Sequence, residues 1–292
     1  MNGIYIAMAT PFNKDGSLNL EAHKRNIEKW NKTEIKGYLV LGSTGEGVHL
    51  SHEEKLRLVE ATLEAKSSDK KVFAGTGLFS TEETVKFTNE VAKLGVDFAL
   101  VITPFFFKSF MTGKALLEHY RRVADAAKIP VFIYNVPQYT GVSFPLEILP
   151  ELAGHENIAG MKDSSGNIYY DARILEMKLP DFMFFVGNFT AIYQNALLGA
   201  NGGILAVANI APSEVSKLYE LARKGDAKGA GEIYLKLADV NAILVGKMGP
   251  AGVKYAMDLL GYEGLYPRPP LQPLTEEEKR KVEELLKTKG LL

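Results

Sequence analysis

The stretch Asn157-Ile158-Ala159-Gly160-Met161-Lys162-Asp163-Ser164-Ser165-Gly166 passes from an apolar run into small polar residues and a turn, with a lysine at the transition. Short apolar runs bounded by turn residues read as buried strands. The preceding stretch Ile129-Pro130-Val131-Phe132-Ile133-Tyr134-Asn135-Val136-Pro137 is a second such run and ends in a tyrosine. Working outward, comparable runs occupy residues 4–8, 37–41, 71–74, 98–102, 131–134, 158–161, 183–186 and 203–207. About eight strands, alternating with amphipathic stretches, is the number that closes a parallel (β/α)8 barrel. Helix starts separate them: Ser51-His52-Glu53-Glu54 and Ser80-Thr81-Glu82-Glu83 both have the form of a capping box. Lys36-Gly37, Leu94-Gly95 and Ala200-Asn201-Gly202 read as helix ends ahead of strands. An open doubly wound sheet shares the alternating pattern. Strand number and the chemistry at the strand ends favour the barrel.

After Ala211 the strand signals stop. Pro212-Ser213-Glu214 opens a helical pattern, and residues 226–245, 252–260 and 275–286 supply three more. The expected organisation is an α/β barrel with the catalytic site over residues 1–211 and a C-terminal helical extension over residues 212–292. Tyr266-Pro267-Arg268-Pro269-Pro270-Leu271-Gln272-Pro273 cannot be helix interior, because each proline removes a donor and restricts its predecessor. It reads as an extended linker packed on the surface.

The chain has 292 residues, 46% of them hydrophobic, and a formal net charge of -1. That charge gives no electrostatic reason to expect nucleic acid or an anionic membrane as partner. There is no cysteine, so disulfides, thiol catalysis and cysteine-ligated metals are excluded. No apolar run approaches the ~18 residues of a membrane span, and no signal peptide is evident. A cytoplasmic protein acting on small molecules is expected.

In such a barrel, strand-end residues far apart in sequence gather at one face. Here they are Thr10, the 42–47 loop with Ser43, Thr44 and Gly45, then Thr103, Tyr134, Lys162, Asn188 and Thr190. Only Lys162 can form a carbonyl Schiff base, and the neutral amine is the attacking form. The competing reading is a structural lysine paired with Asp163, although strand alternation points Asp163 the other way. Tyr134 is either a proton carrier or a strand-end aromatic whose hydroxyl reaches water. The glycines of the 42–47 loop allow a tight bend whose amides suit a carboxylate or phosphate. No Gly-Lys-Ser/Thr follows, which rejects a nucleotide P-loop, and Gly75-Thr76-Gly77 lacks a third glycine in register for a dinucleotide fingerprint. His49 and His52 near Glu46, Glu53 and Glu54 sketch a metal site, but a helix start with charged caps accounts for them, and no metal is expected.

Gly42-Ser43-Thr44-Gly45-Glu46, Tyr134-Asn135-Val136-Pro137, Gly141 and Gly160-Met161-Lys162-Asp163-Ser164 resemble the signatures of the dihydrodipicolinate synthase and N-acetylneuraminate lyase superfamily of pyruvate-dependent class I aldolases. The resemblance runs from Thr10-Pro11-Phe12 to Pro267-Arg268-Pro269-Pro270-Leu271. It implies a (β/α)8 barrel with a C-terminal helical extension, a homotetramer built as a dimer of dimers, and no cofactor beyond a covalent Schiff base through Lys162. It also implies Tyr134 as acid and base, Thr44 as its helper, and Ser43, Thr44 and Gly45 as holders of the pyruvyl carboxylate. Thr10, Tyr139, Phe106, Asn188 and Val207 complete the expected substrate-binding set.

Departures from the family pattern bear on the second substrate, a small aldehyde or oxo acid. Where dihydrodipicolinate synthases carry an arginine in Tyr-Asn-Val-Pro-x-Arg-Thr-Gly, this chain has Tyr139; where they carry a relay tyrosine, it has Phe106. A phenylalanine cannot relay a proton, and a tyrosine cannot make a bidentate guanidinium contact. Neuraminate lyases present an Asp-Glu pair where Phe189 and Thr190 stand here. The segments 101–104, 158–164, 198–203 and 257–272 look similar to 4-hydroxy-2-oxoglutarate aldolases, and the proline-rich end also to 2-keto-3-deoxygluconate aldolases. The expected activity is therefore cleavage or formation of a 4-hydroxy-2-oxo acid with pyruvate as common fragment. Dihydrodipicolinate synthesis is the alternative, as is a pyruvate-binding homologue without turnover.

Overall fold

The computed structural model describes residues 1–292. Eight parallel strands follow one another in chain order around a closed barrel: β1 (Gly3–Ala7), β2 (Gly37–Val40), β3 (Lys71–Gly75), β4 (Phe98–Ile102), β5 (Val131–Asn135), β6 (Ile158–Asp163), β7 (Met183–Val186) and β8 (Gly202–Leu205). Parallel neighbours cannot be joined by a hairpin, so the crossovers carry helices. These are α1 (Leu20–Trp30), α2 (His52–Ala65), α3 (Thr81–Leu94), α4 (Gly113–Ala126), the short α5 (Pro137–Thr140) and α6 (Leu149–Ala153), α7 (Ile168–Glu176) and α8 (Phe189–Leu198). Beyond β8 the chain is helical: α9 (Pro212–Arg223), α10 (Ala227–Val240) running into a π-helical turn Asn241–Lys247, α11 (Gly249–Leu259) and α12 (Glu276–Thr288). No helix is long and apolar enough to cross a membrane.

The expected fold class is the observed one, and each expected strand lies within two residues of an observed one at either end. Local punctuation differs in places. Ser51 and Glu54 form the full reciprocal capping box, whereas Ser80 caps α3 through the Glu83 amide alone. Gly95 ends α3 in the left-handed conformation, but Gly37 and Gly202 are first residues of strands, and Gly199 ends α8 instead. A glycine before an apolar run looks the same in sequence whether it closes a helix or opens a strand.

The chain divides into two compact units: Met1–Asn2 with Lys71–Ile204, and Gly3–Lys70 with Leu205–Leu292. In the first, alternate residues of the strands turn Phe73, Phe98, Phe132 and Phe185 onto one another. Phe73 lies 4.8 Å from Phe98 and 5.0 Å from Phe132 between ring centroids, the second pair edge to face. Such aromatic pairs contribute beyond the area they bury. Gly160 is the counterpart of this cluster on β6, because a Cβ there would sit 2.5 Å from Phe132 Cε1 and 2.2 Å from the Met183 carbonyl oxygen. The pairing of β5 with β6 shifts register between Val131 and Phe132, so Ala159 is an extra residue on β6.

In the second unit, the chain's single tryptophan, Trp30, is fully buried and donates its indole N–H to the Asn209 carbonyl at 3.2 Å. The Asn209 amide group donates to the Ala7 carbonyl at 2.7 Å, and its Oδ1 accepts from the Ala9 amide at 3.0 Å. One side chain thus ties the end of β1 to the turn after β8. The proline-rich stretch is not helical, as expected, but it is extended only in part, since it turns at Pro269-Pro270, where the Leu271 amide donates to the Arg268 carbonyl at 3.1 Å. It is also anchored: the Tyr266 amide donates to the Phe12 carbonyl at 3.2 Å, Pro267 is buried, and Arg268 makes a two-pronged ion pair with Glu54 at 2.7 Å.

Candidate active site

Strand alternation builds the centre of the first unit. On β5, Phe132 and Tyr134 share one face; on β6, Gly160 and Lys162 do. Tyr134 is the registered neighbour of Lys162, and Phe132 that of Gly160. Above the phenylalanine layer, then, a phenol and an amine stand side by side. Lys162 Nζ lies 4.3 Å from the Tyr134 ring centroid, and the two residues are 3% and 6% exposed.

Lys162 forms no ion pair with Asp163. Asp163 faces the opposite side of β6, where Asn135 Nδ2 donates to it at 2.6 Å and the Ser165 amide and hydroxyl donate at 2.9 and 2.5 Å. Asn135 Oδ1 in turn accepts from the Phe144 amide at 3.0 Å. The Asn135 to Asp163 bond joins β5 to β6 one residue beyond Tyr134 and Lys162, so it fixes the register that sets those two abreast.

Two residues unremarked in the sequence shape this site. The first is Gly187, after β7. A Cβ at that position would lie 2.0 Å from Ser164 Oγ, 2.7 Å from Lys162 Cε and 3.0 Å from the Asp163 carbonyl oxygen. Only a bare backbone leaves Lys162 its place. The single available signal was a glycine at a strand end. The second is Asp171, on α7, for which the sequence carried no signal. It is fully buried, accepts from Asn195 Nδ2 at 2.6 Å, and its Oδ1 has no donor. Its neighbour is the carboxyl group of Asp163.

Two buried carboxyl groups cannot both ionise cheaply, and a proton shared between them supplies the missing donor. Burial, then the charge of Asp163, pushes Asp171 up to about 8; burial also raises Asp163. A carboxyl group whose folded pKa lies above its unfolded value near 3.8 contributes stability in full below that value. The contribution is lost as pH rises toward about 8, because the folded state holds the extra proton across that interval. Asp171→Asn keeps the Asn195 bond and supplies a permanent donor to Asp163. The variant is expected to gain melting temperature on wild type as pH goes from 5 to 8, at roughly 2–4 °C per kcal/mol for a chain of this size. Melting curves that shift equally at both pH values would refute the shared proton.

The other expected residues of this unit are dispersed. Thr103 is buried after β4 with an unpartnered hydroxyl, as is Ser164 after Lys162. Asn188 caps α8, its Oδ1 accepting from the Thr190 amide and hydroxyl at 3.0 and 2.9 Å, while Phe189 is buried. Phe106 and Tyr139 are 72% and 63% exposed, and Phe106 lies edge to face with Phe79 and Phe107.

In the second unit, the turn after β2 carries Ser43, Thr44 and Gly45. It is closed by the Gly45 and Gly47 amides donating to the Gly42 carbonyl at 3.1 and 3.2 Å, and by Glu46 donating to Ser43 at 3.0 Å. Thr10, buried after β1, donates its hydroxyl to the Gly45 carbonyl at 2.6 Å. Gly45 and Gly47 leave no room for side chains: a Cβ would approach the Met8 and Leu41 carbonyl oxygens at 2.8 and 2.4 Å. Val207 is buried in the 3-10 turn after β8. His49 Nδ1 stands 3.5 Å from Glu46 Oε2, and no group of three or more acidic or histidine side chains is arranged to hold a metal ion.

Comparison with known proteins follows the same lines. The profile of the dihydrodipicolinate synthetase family matches residues 1–289. The 4-hydroxy-tetrahydrodipicolinate synthase of Methanothrix thermoacetophila is 35% identical over 97% of this chain and 95% of its own length. That of Methanococcoides burtonii is 34% identical over 99% of both. Among solved structures, the dihydrodipicolinate synthase of Acinetobacter baumannii complexed with pyruvate superposes with a TM-score of 0.94 at 30% identity, covering 100% of this chain and 99% of that one. The Aquifex aeolicus dihydrodipicolinate synthase does so with a TM-score of 0.94 at 33% identity and the same coverage.

Proposed function

Since the chain belongs to the dihydrodipicolinate synthetase family, whose members are lyases of the class I aldolase type, we propose that it activates pyruvate as a Schiff base on Lys162. The observation that carries this reading is the buried amine of Lys162 set 4.3 Å from the Tyr134 ring on adjacent strands. The neutral amine attacks the 2-oxo carbon, and the carbinolamine loses water with a proton supplied by Tyr134. The iminium draws electrons from C3, so loss of a C3 proton gives an enamine that adds to an aldehyde carbon. Run backwards, the same steps break a C3–C4 bond. Ser43, Thr44 and Gly45 hold the pyruvyl carboxylate on their amides, turning binding into orientation, and the Thr44 hydroxyl passes protons to Tyr134. Thr10 fixes that loop, while Asn188 and Val207 border the substrate. The unpartnered hydroxyls of Ser164 and Thr103 offer bonds to substrate oxygens. A homotetramer is the assembly proposed with this function.

For the second substrate, the relatives' names support 4-hydroxy-tetrahydrodipicolinate synthesis over the 4-hydroxy-2-oxo acid chemistry expected from sequence alone. Condensation of pyruvate with aspartate semialdehyde is therefore our first reading. Cleavage of 4-hydroxy-2-oxoglutarate or 2-keto-3-deoxygluconate stays as the second, on the specific grounds of Phe106 and Tyr139. Borohydride reduction in the presence of pyruvate should leave a stable adduct on Lys162, mapped by mass spectrometry. Absence of that adduct sinks the Schiff-base reading. Rates measured side by side for the condensation and for pyruvate release from the two oxo acids then rank the second substrates.

A further inference from the structure

Glu46 is a glutamate in an unusual place. It holds a left-handed backbone conformation, with φ of 53°, and is 1% exposed. A non-glycine residue is sterically disfavoured there and persists only where its surroundings dictate it. A buried carboxylate also needs partners. Glu46 has them from the far end of the chain: Lys254 Nζ, on α11, donates to Oε1 at 2.5 Å, and the Arg268 amide donates to Oε2 at 2.8 Å.

Lys254 is itself 0% exposed. It donates again to the Tyr266 carbonyl at 2.8 Å, and its amine lies 4.4 Å from the Phe12 ring centroid, which Arg268 also covers at 4.3 Å. Gly264 packs on its backbone so closely that a Cβ would stand 2.1 Å from the Lys254 carbonyl oxygen. Burial, with a smaller push from the charge of Arg268, draws the Lys254 amine down to about 8 even against the pull of Glu46. A buried ion pair of this kind adds little net stability relative to an apolar pair of similar volume. Its effect is directional: it dictates where Glu46 points, and thereby the conformation of the turn.

Ser43 and Thr44 directly precede two anchored residues of the same turn, Gly45 and Glu46. Thr10 holds the Gly45 carbonyl on one side, and Lys254 holds Glu46 on the other. We propose that Lys254 is a positioning residue for the amides of the 42–47 turn, so that the C-terminal helices set the affinity for the carboxylate of the 2-oxo acid. This rests on the reading given above, in which that turn receives the pyruvyl carboxylate.

The test uses full-length Lys254→Met, Lys254→Arg and the double variant Glu46→Gln/Lys254→Met, which leaves no unpaired buried charge. Each is reduced with borohydride in the presence of pyruvate and, separately, of acetone, a ketone without a carboxylate. Half-saturating pyruvate should rise about tenfold or more in Lys254→Met and in the double variant. Acetone trapping should stay within about twofold of wild type, and Lys254→Arg should recover part of the loss. A folded double variant that saturates with pyruvate like wild type overturns the proposal, as does an equal loss with both ketones, the mark of general damage. Hydrogen exchange of the 42–47 amides gives an independent arm: it should accelerate in the double variant, and unchanged exchange also overturns the proposal. Wild-type protein that traps neither ketone counts against the Schiff-base reading, and the positioning role is then decided by the exchange arm alone.

Discussion

Lys162→Met is expected to give a folded protein that traps no pyruvate under borohydride and turns over at least about a thousandfold more slowly than wild type. Methionine matches the unbranched shape of lysine and suits a site that is 3% exposed. The substitution breaks no ion pair with the neighbouring carboxylate, because Asp163 is held by Asn135 and Ser165 on the other face of β6. Stability should therefore change little, and the melting temperature checks it. A variant that kept more than about a tenth of the wild-type rate would show that the amine is not the nucleophile. One that lost activity only by unfolding would return Lys162 to a structural role.

Gly187→Ala should produce the second-largest effect, although it adds a single methyl group. The new Cβ would fall 2.0 Å from Ser164 Oγ and 2.7 Å from Lys162 Cε; the Ser164 hydroxyl can turn away about χ1, but relief at Cε requires the Lys162 side chain itself to move. The backbone on the third side, the Asp163 carbonyl at 3.0 Å, also accepts the Gly187 amide at 2.5 Å, so β7 is held close. Displacing a nucleophile by about 1 Å can lower a rate by ~100-fold, and overpacking a dense site costs about 1–3 kcal/mol. The expected result is a drop in kcat of that order, with a melting temperature lowered by several degrees. Trapping of pyruvate by Gly187→Ala at the wild-type rate would mean that the site yields freely, and that Gly187 does not set the position of the amine.

Much of this protein was legible from residue types. Apolar runs of strand length, broken by glycine and by Ser-x-x-Glu starts, named eight strands and their order, because alternation along a strand and a helical period are local properties of the chain. The lysine and tyrosine at two strand ends were visible for the same reason: parallel strands in sequence order present their ends alike. What could not be read was packing across distance. Asp171 sits in an ordinary amphipathic helix, and only the fold sets it against Asp163. In sequence Gly187 is indistinguishable from any strand-end glycine, and nothing in the proline-rich stretch marks Arg268 for its ion pair with Glu54. The second substrate is not legible in residue types: Phe106 and Tyr139 depart from the dihydrodipicolinate synthase pattern, whereas similar chains carry the name 4-hydroxy-tetrahydrodipicolinate synthase.

By itself, the sequence determined the alternation of strand and helix, the barrel that follows from it, and the amine that can attack a carbonyl, because each depends on short-range periodicity and on side-chain chemistry. Only the tertiary structure decided which residues constrain that amine and the amide-rich turn. Gly187 beside Lys162, Asp171 behind Asp163 and Lys254 beneath Glu46 are meetings of residues 8 to 208 positions apart. No local pattern encodes them, because steric exclusion and the cost of a buried charge act between whichever atoms the fold brings into contact.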